Sequence, residues 1–112
     1  MLPKNQRLSN SQDIKKVLDK NDLRFNTPLL TFVAKENFLD KQRATVVCSK
    51  KVGNAVKRNR IRRKIVMAYQ NIHNNIAKKV DIVIIARHNE AEVKDYEDQI
   101  QKGADKIGLC NE

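Results

Sequence analysis

The side chains best suited to chemistry in this sequence are cations gathered between residues 49 and 65. This segment reads SKKVGNAVKRNRIRRKI and contains eight Lys or Arg and no Asp or Glu. A guanidinium can grip a phosphate with two hydrogen bonds or stack on a base, and an ammonium acts as a point charge. Lys50, Lys51 and Gly53 also precede a predicted helix N-terminus, where free backbone N–H groups favour anions. The indicated chemistry is therefore binding of a polyanion, and nucleic acid is the commonest candidate.

The positive charge is confined to one part of the chain. Residues 41–80 hold twelve Lys or Arg and no acid, giving +12, whereas the whole protein of 112 residues has a net charge of +10. A solvated helix face, the ordinary alternative, mixes Glu among its Lys for support at i,i+4. Here like charges three and four residues apart repel one another, so we expect an anionic partner to relieve them.

Catalytic and metal-binding patterns are not evident in the sequence. His73 and His88 belong to no recognisable nucleophile or acid/base constellation, so we expect no catalytic residue. Cys48 and Cys110 lie far apart without a CxxC pair, which argues against zinc and favours reduced thiols over a disulfide. We therefore predict no metal site in the protein itself.

Length and hydropathy predict one cytoplasmic domain over residues 1–112. The hydrophobic content of 40% is enough for one modest core. The first seven residues contain no apolar signal-peptide region, and the longest apolar run, Ile82 to Ala86, is far too short to span a membrane.

The first half of the chain predicts a helix followed by two strands. Ser9-Asn10-Ser11 offers an N-cap for an amphipathic helix ending near Asn21. Leu29 to Ala34 and Arg43 to Cys48 are strand-like, and we expect them to pair as a hairpin with a long loop. A further short strand could precede the first of them.

The second half predicts a long helix, a buried strand and a last helix. Asn54 is the expected N-cap of the long helix, and Val80 to Ala86 is β-branched enough for a strand buried on both faces. An apolar stripe with helical spacing defines the inner face of the long helix: Ile61, Ile65, Ala68, Ile72 and Ile76. The last helix should begin at Asp95 and tolerates Gly103 at a cost of about 1 kcal/mol relative to Ala.

These elements predict an α+β fold, an α/β sandwich whose small sheet of about four strands is packed with helices. The expected order is helix, strand, strand, strand, helix, strand, helix. A helix-turn-helix DNA reader would need a short helix where the strand ending at Cys48 lies, so RNA recognised by shape is favoured. A structural ribosomal protein and, less favoured, a dimeric DNA-binding regulator are the alternatives from other classes.

The segment KVGNAVKRNRIRRKI closely resembles the signature helix of the protein subunit of bacterial ribonuclease P. The Arg-Asn-Arg core that names this motif is here Arg58-Asn59-Arg60. The similarity continues in order over most of the chain: Lys4 to Leu8, Asp13-Ile14, the strand around Phe32, Ile82 to Arg87, and the helix at Tyr96. The resemblance implies a left-handed crossover between the strands flanking the signature helix, against the general right-handed rule.

The resemblance also implies the activity and the partners. In this family the RNA subunit is the catalyst and uses Mg²⁺, bound mainly by the RNA, to remove the 5′ leader of precursor tRNA. The protein binds the catalytic RNA and the leader, and we expect one monomeric copy per catalytic RNA. The polypeptide alone should not cleave RNA, so the resemblance implies a non-catalytic subunit of an endoribonuclease.

The resemblance assigns roles to individual residues. RNA contacts are implied for the following side chains: Lys50, Lys51, Lys57, Arg58, Asn59, Arg60, Arg62, Arg63 and Lys64. Ile14, Leu18 and Phe32 would line the leader cleft between the first helix and the sheet. Ile14 and Leu18 stand where the family usually has phenylalanine, and Val66 replaces a frequent basic residue, so we expect weaker stacking and one phosphate contact fewer.

Overall fold

The computed structural model describes residues 7–21, 23–37, 42–73 and 80–106. The helices and strands follow the predicted order: α1 (Ser11–Asp19), β1 (Leu23–Asn26), β2 (Leu30–Glu36), β3 (Arg43–Val47), α2 (Ala55–Ile72), β4 (Val80–Ala86) and α3 (Val93–Lys106). A 3₁₀ turn, Lys50–Val52, lies between β3 and α2. The α+β class is confirmed, and the additional short strand is β1. The single domain over residues 1–112 stays a prediction.

The four strands form one mixed sheet in the order β1-β2-β4-β3. β2 is antiparallel to both β1 and β4, and β3 runs parallel to β4. The predicted hairpin between β2 and β3 is therefore wrong, because β4 lies between them. The physical reason is that β4 is apolar on both faces, which suits an interior position in the sheet where helices cover both faces. The left hand of the β3–α2–β4 crossover stays a prediction.

Helices cover both faces of this sheet. One face packs on α2 and α3 through a core that includes Phe32, Ile61, Ile65 and Ile84. The opposite face packs on α1 through a smaller cluster: Leu8, Val17, Val33 and Val83, with Ile14, Leu18 and Ile85 partly buried against it. Within the described ranges, no helix has both the length and the apolar character needed to cross a membrane.

The three residues predicted to line the leader cleft lie on opposite faces of the sheet. Phe32 is 0% exposed and belongs to the core under α2 and α3, whereas Ile14 and Leu18 lie on the α1 side. Side chains alternate across a strand, so Phe32 and its neighbour Val33 necessarily face opposite ways. Placing Phe32 in a cleft with Ile14 and Leu18 is wrong. Val33 is the β2 residue that faces them.

The first and last helices begin close to where the sequence predicts. The Asn10 side chain accepts hydrogen bonds from the backbone N–H groups of Gln12 (2.8 Å) and Asp13 (3.4 Å), which confirms an N-cap in the predicted triplet. α3 begins at Val93, two residues before the predicted Asp95. Asp95 instead accepts a hydrogen bond from the Glu92 N–H at 3.1 Å, the acidic half of a capping box.

Gly103 has a packing role inside α3. A β-carbon added there would lie 3.1 Å from Cδ1 of Phe32 and 3.2 Å from Cδ2 of Phe25. The missing side chain lets α3 approach the sheet closely. This contact explains why a poor helix former stands in the middle of a helix.

Candidate nucleic-acid interface

The cationic segment enters α2 through a turn that exposes two lysines. Val52 is buried and its N–H donates to the Ser49 carbonyl at 3.0 Å, which closes the 3₁₀ turn and leaves Lys50 and Lys51 exposed. Gly53 has φ +150°, a conformation that L side chains rarely adopt. Asn54 then caps α2, since its Oδ1 accepts the Lys57 N–H at 2.9 Å. The predicted N-cap is confirmed.

The inner face of α2 fixes the direction in which the cations point. Ile61, Ile65, Ala68 and Ile72 are buried as predicted, and Ile76 lies outside the described residues. The polar residues of the predicted site consequently divide by exposure: Asn59, Arg60, Arg62 and Arg63 are exposed, whereas Lys57, Arg58 and Lys64 are partly buried. The structure thus brings the four exposed residues together on one outward surface of α2.

Glu90 is a partner of this surface that sequence reasoning missed. Its carboxylate accepts two hydrogen bonds from Arg60, at 2.6 and 2.7 Å, and one from the Lys64 ammonium at 2.9 Å. These hydrogen bonds lower the pKa of Glu90 to about 2. Nothing in the spacing could reveal the contact, because Glu90 is thirty residues from Arg60 and follows β4. Two of the eight predicted cations are therefore engaged within the protein.

The Arg-Asn-Arg core contains a second internal contact and an unsatisfied donor. The Asn59 side-chain oxygen accepts a hydrogen bond from Arg62 at 3.1 Å, which orients that guanidinium. Arg58 Nε is buried and has no hydrogen-bond partner among the described residues. A buried donor without a partner costs free energy, so an acceptor brought by a ligand would be favourable at Arg58.

Cys48 lies next to the same surface. Burial raises the pKa of its thiol, while the nearby charges of Arg58 and Arg62 act to lower it. The thiol is free within the described residues. The expected absence of a disulfide to Cys110 concerns a residue outside the described ranges.

Lys51 belongs to a different groove from the α2 cations. It lines a groove at the end of the sheet together with Arg24 and Arg87, beside Thr31 and Ile85. Thr31 and Ile85 are opposite one another in the β2–β4 register, and Ile85 also packs in the α1-side cluster. This end of the sheet therefore joins a basic groove to the apolar face beside α1. Sequence reasoning gave no role to Arg24 or Arg87, because only the sheet register brings them to Lys51.

No metal site accompanies these residues in the described part of the chain. It contains no group of three or more His, Cys, Asp or Glu placed to hold a metal ion. The cationic surface instead offers donors for anionic oxygens, which is phosphate chemistry.

The fold and this surface define a class: small α+β domains with an outward-facing cationic helix and a second basic groove at one end of the sheet. Comparison with known proteins specifies the family. The family model described as Ribonuclease P matches residues 2–108. The ribonuclease P protein component of Clostridium novyi (strain NT) is 31% identical over 113 residues, covering 98% of this chain and 100% of that protein. The ribonuclease P protein component of Clostridium acetobutylicum is 35% identical over 109 residues, covering 95% of this chain and 92% of that protein.

The chain belongs to the ribonuclease P protein family. Its fold is similar to that of the Staphylococcus aureus RNase P protein, with a TM-score of 0.81 at 23% identity, over 96% of this chain and 100% of that one. The known role of the family is processing of tRNA 5′ ends. The protein is the non-catalytic component of a ribonucleoprotein endoribonuclease. Association with ribonuclease P RNA follows from this membership, and the ribosomal and DNA-regulator alternatives fall away.

Proposed function

We propose that the outward surface of α2 binds the catalytic RNA of ribonuclease P, while the α1-side face of the sheet binds the 5′ leader of precursor tRNA. The observation that supports this division is the presence of two separate cationic grooves. Arg62 and Arg63 line one beside β3, and Lys51, Arg24 and Arg87 line the other at the end of the sheet. Two RNA segments could thus be held at once.

The α2 surface suits a folded RNA backbone. Arg62 and Arg63 are exposed and have no acidic partner among the described salt bridges, so their charge is available to phosphates. Lys50 and Lys57 extend the positive field to the N-terminus of the helix, where backbone N–H groups add to it. Glu90 partly neutralises Arg60 and Lys64, so we assign these two a weaker share of binding.

The α1-side face suits a single strand lying on aliphatic side chains. Ile14 and Leu18 face Val33 and Ile85 across the smaller core, and Ile85 continues into the basic groove. Aromatic stacking is worth about 1–3 kcal/mol per base, and these aliphatic side chains lack it. Leader binding should therefore depend more on Lys51 and its cationic neighbours than on stacking.

Charge neutralisation is the contribution that we assign to the protein in cleavage. Cations placed between two RNA segments reduce their repulsion, so the RNA should need less Mg²⁺ to reach its active arrangement. The Mg²⁺ ions would be held mainly by the RNA. The proposal assumes a monomeric protein, one copy per catalytic RNA, acting in the cytoplasm.

The decisive experiment is cleavage of a precursor tRNA by the cognate catalytic RNA across a Mg²⁺ series, with and without the protein. Wild-type protein should lower the Mg²⁺ concentration that gives half-maximal cleavage. The double variant Arg62→Ala/Arg63→Ala should lower this Mg²⁺ concentration by a smaller amount. Lys94→Ala/Lys102→Ala removes the same charge from exposed positions of α3 and is the matched control. An unchanged Mg²⁺ requirement with wild-type protein, or equal losses in both double variants, would overturn the proposal.

A further inference from the structure

A groove between the outer edge of the sheet and α2 combines an apolar floor with a cationic rim. β3 is the edge strand of the sheet, and α2 lies beside it. The buried or partly buried Ala44, Val46 and Val66 form the floor, and the exposed Arg7, Arg62 and Arg63 form the rim. Such a composition fits a ligand that is flat and apolar on one side and anionic at its margin.

The open edge of β3 adds hydrogen-bonding groups to this groove. The Leu8 N–H donates to the Ala44 carbonyl at 2.9 Å, so the backbone groups of Ala44 point away from β4. Backbone groups alternate in direction along a strand, so those of Val46 point to the same outer edge. Beyond the Arg7–Ala44 bridge, no described strand pairs with this edge. Val46 therefore presents one N–H and one C=O to the groove, the donor and acceptor pair that the edge of a nucleobase can match.

Size and charge select the occupant. The groove has a volume of about 230 Å³, below the roughly 300–1,000 Å³ of clefts that hold drug-sized ligands, so a single base is a suitable size. Three guanidinium groups and no carboxylate line it, which favours a phosphate-bearing ligand. A peptide strand added to the edge is less suitable, because β3 ends at Val47 and offers few free backbone groups.

We propose that this groove holds one unstacked nucleotide of an RNA partner, with its base on Val46 and Val66 and its phosphates on Arg62 and Arg63. This inference deepens the proposed RNA contact of α2 and rests on it. It adds a base-dependent component to an interface that cations alone would make purely electrostatic. It also gives Val66 a role as the apolar wall of the base site, where the family often has a basic residue.

The test compares two short single-stranded ribo-oligonucleotides by fluorescence anisotropy: an adenosine pentamer, and the same pentamer with an abasic central position. Both have the same phosphates, so the ratio of their dissociation constants reports the base alone. An aliphatic site should be at the weak end of base-binding energies, so wild-type protein should bind the intact pentamer about fivefold more tightly.

Two neighbouring substitutions localise this discrimination. Val66→Glu places a carboxylate in the groove and should bring the ratio to about one, because it disturbs the base site. Met67→Glu makes the same charge change at an adjacent residue that is 54% exposed and does not line the groove, and should keep the ratio. Thermal melting checks that both variants are folded, and Val46→Glu, which places the same charge on the groove floor from β3, replaces Val66→Glu if that variant does not fold.

Three results would overturn the inference. They are a wild-type ratio of one, a ratio that survives Val66→Glu and so originates in another site, and equal losses in the Val66 and Met67 variants. Binding of an acidic peptide that depends on Val66, without base discrimination, would assign the groove to a protein segment instead. A ratio of one with a normal Mg²⁺ effect would remove the nucleotide site and leave the proposed function intact.

Discussion

At the scale of single residues, Glu90 changes what the cationic helix can offer to RNA. It binds Arg60 with two hydrogen bonds and Lys64 with one, and it lies on the segment that follows β4. The like-charge repulsion expected in the motif is thus partly relieved from within the protein. The same contact lowers the positive charge available to phosphates at Arg60 and Lys64.

Replacing Glu90 with glutamine should strengthen RNA binding. The two released cations become available to phosphates, so the slope of log K against log salt should steepen by about 0.7–0.9 for each new phosphate contact. Titrations with catalytic RNA at several salt concentrations measure this slope. Glu92→Gln removes the same charge at an exposed position two residues away and should leave the slope nearly unchanged. Equal slopes for the two variants would contradict the idea that Glu90 competes with RNA.

Glu90 also predicts a particular dependence of stability on pH. Its pKa is lowered to about 2 in the folded protein by Arg60 and Lys64, whereas an unfolded glutamate titrates near 4.3. The carboxylate therefore stabilises the folded state fully above the unfolded value, and this contribution disappears as pH falls towards 2. Urea unfolding of wild type and Glu90→Gln should show a stability difference near neutral pH that shrinks between about pH 4.3 and 2. A difference that is constant over this range would show that the ion pair does not contribute to folding.

At the scale of the elements, the entry into α2 depends on one backbone conformation. Gly53 at φ +150° joins the turn that bears Lys50 and Lys51 to the Asn54 cap. Gly53→Ala would place a β-carbon 2.7 Å from Cδ of Lys57, and it would also strain the backbone. We expect a loss of about 1–3 kcal/mol in the free energy of unfolding, measured by urea denaturation.

A control substitution separates this backbone effect from general sensitivity of the helix start. Val56→Ala changes a residue that is 70% exposed in the first turn of α2 and should alter the stability by less than about 0.5 kcal/mol. If Gly53→Ala were equally harmless, the positive φ at Gly53 would not be required.

The sequence predicted local structure better than it predicted strand pairing. The cap at Asn54, the buried stripe from Ile61 to Ile72 and the β4 run all follow from spacing within one element, and all are confirmed. The β2–β3 hairpin is wrong because pairing depends on which strand is interior, and β4, which is buried on both faces, lies between β2 and β3. The prediction that Phe32 lines the cleft beside α1 is wrong for a related reason. A shift of one residue along a strand moves a side chain to the opposite face of the sheet.

For the candidate site, too, contacts within one element could be predicted from the sequence, whereas contacts between distant elements could not. The cations of α2 could be predicted because one helix positions them. The Glu90 contact, the groove shared by Arg24, Lys51 and Arg87, and the groove beside β3 could not be predicted, because each combines residues from elements far apart in sequence. Their formation depends on the crossover from β3 through α2 to β4.

At the scale of the whole molecule, an ion-pair cluster connects α1 to the sheet. Arg43 on β3 donates two hydrogen bonds to Asp81 on β4, at 2.8 and 2.7 Å, and lies 3.6 Å from Asp13 on α1. Asn37 also donates to Asp81 at 2.8 Å. Asp81 is only 6% exposed, so its charge is stabilised by these partners and not by water. The cluster therefore helps to hold α1, with its proposed leader-binding side chains, against the sheet.

Substituting Asp81 with asparagine should weaken the fold and the leader contact together. Removing the carboxylate of Asp81 leaves Arg43 with only the 3.6 Å contact to Asp13, so the free energy of unfolding should fall by up to about 3 kcal/mol in urea denaturation. Both affinities are measured under conditions where the variant is still folded. The looser α1 should reduce the affinity for precursor tRNA that has a leader. The affinity for catalytic RNA alone should fall less, because α2 packs on the other face of the sheet. Asp98→Asn at an exposed position of α3 is the control and should change neither. Equal losses of both affinities in Asp81→Asn would indicate that the two faces are not separable binding surfaces, and the division of RNA segments between them would have to be abandoned.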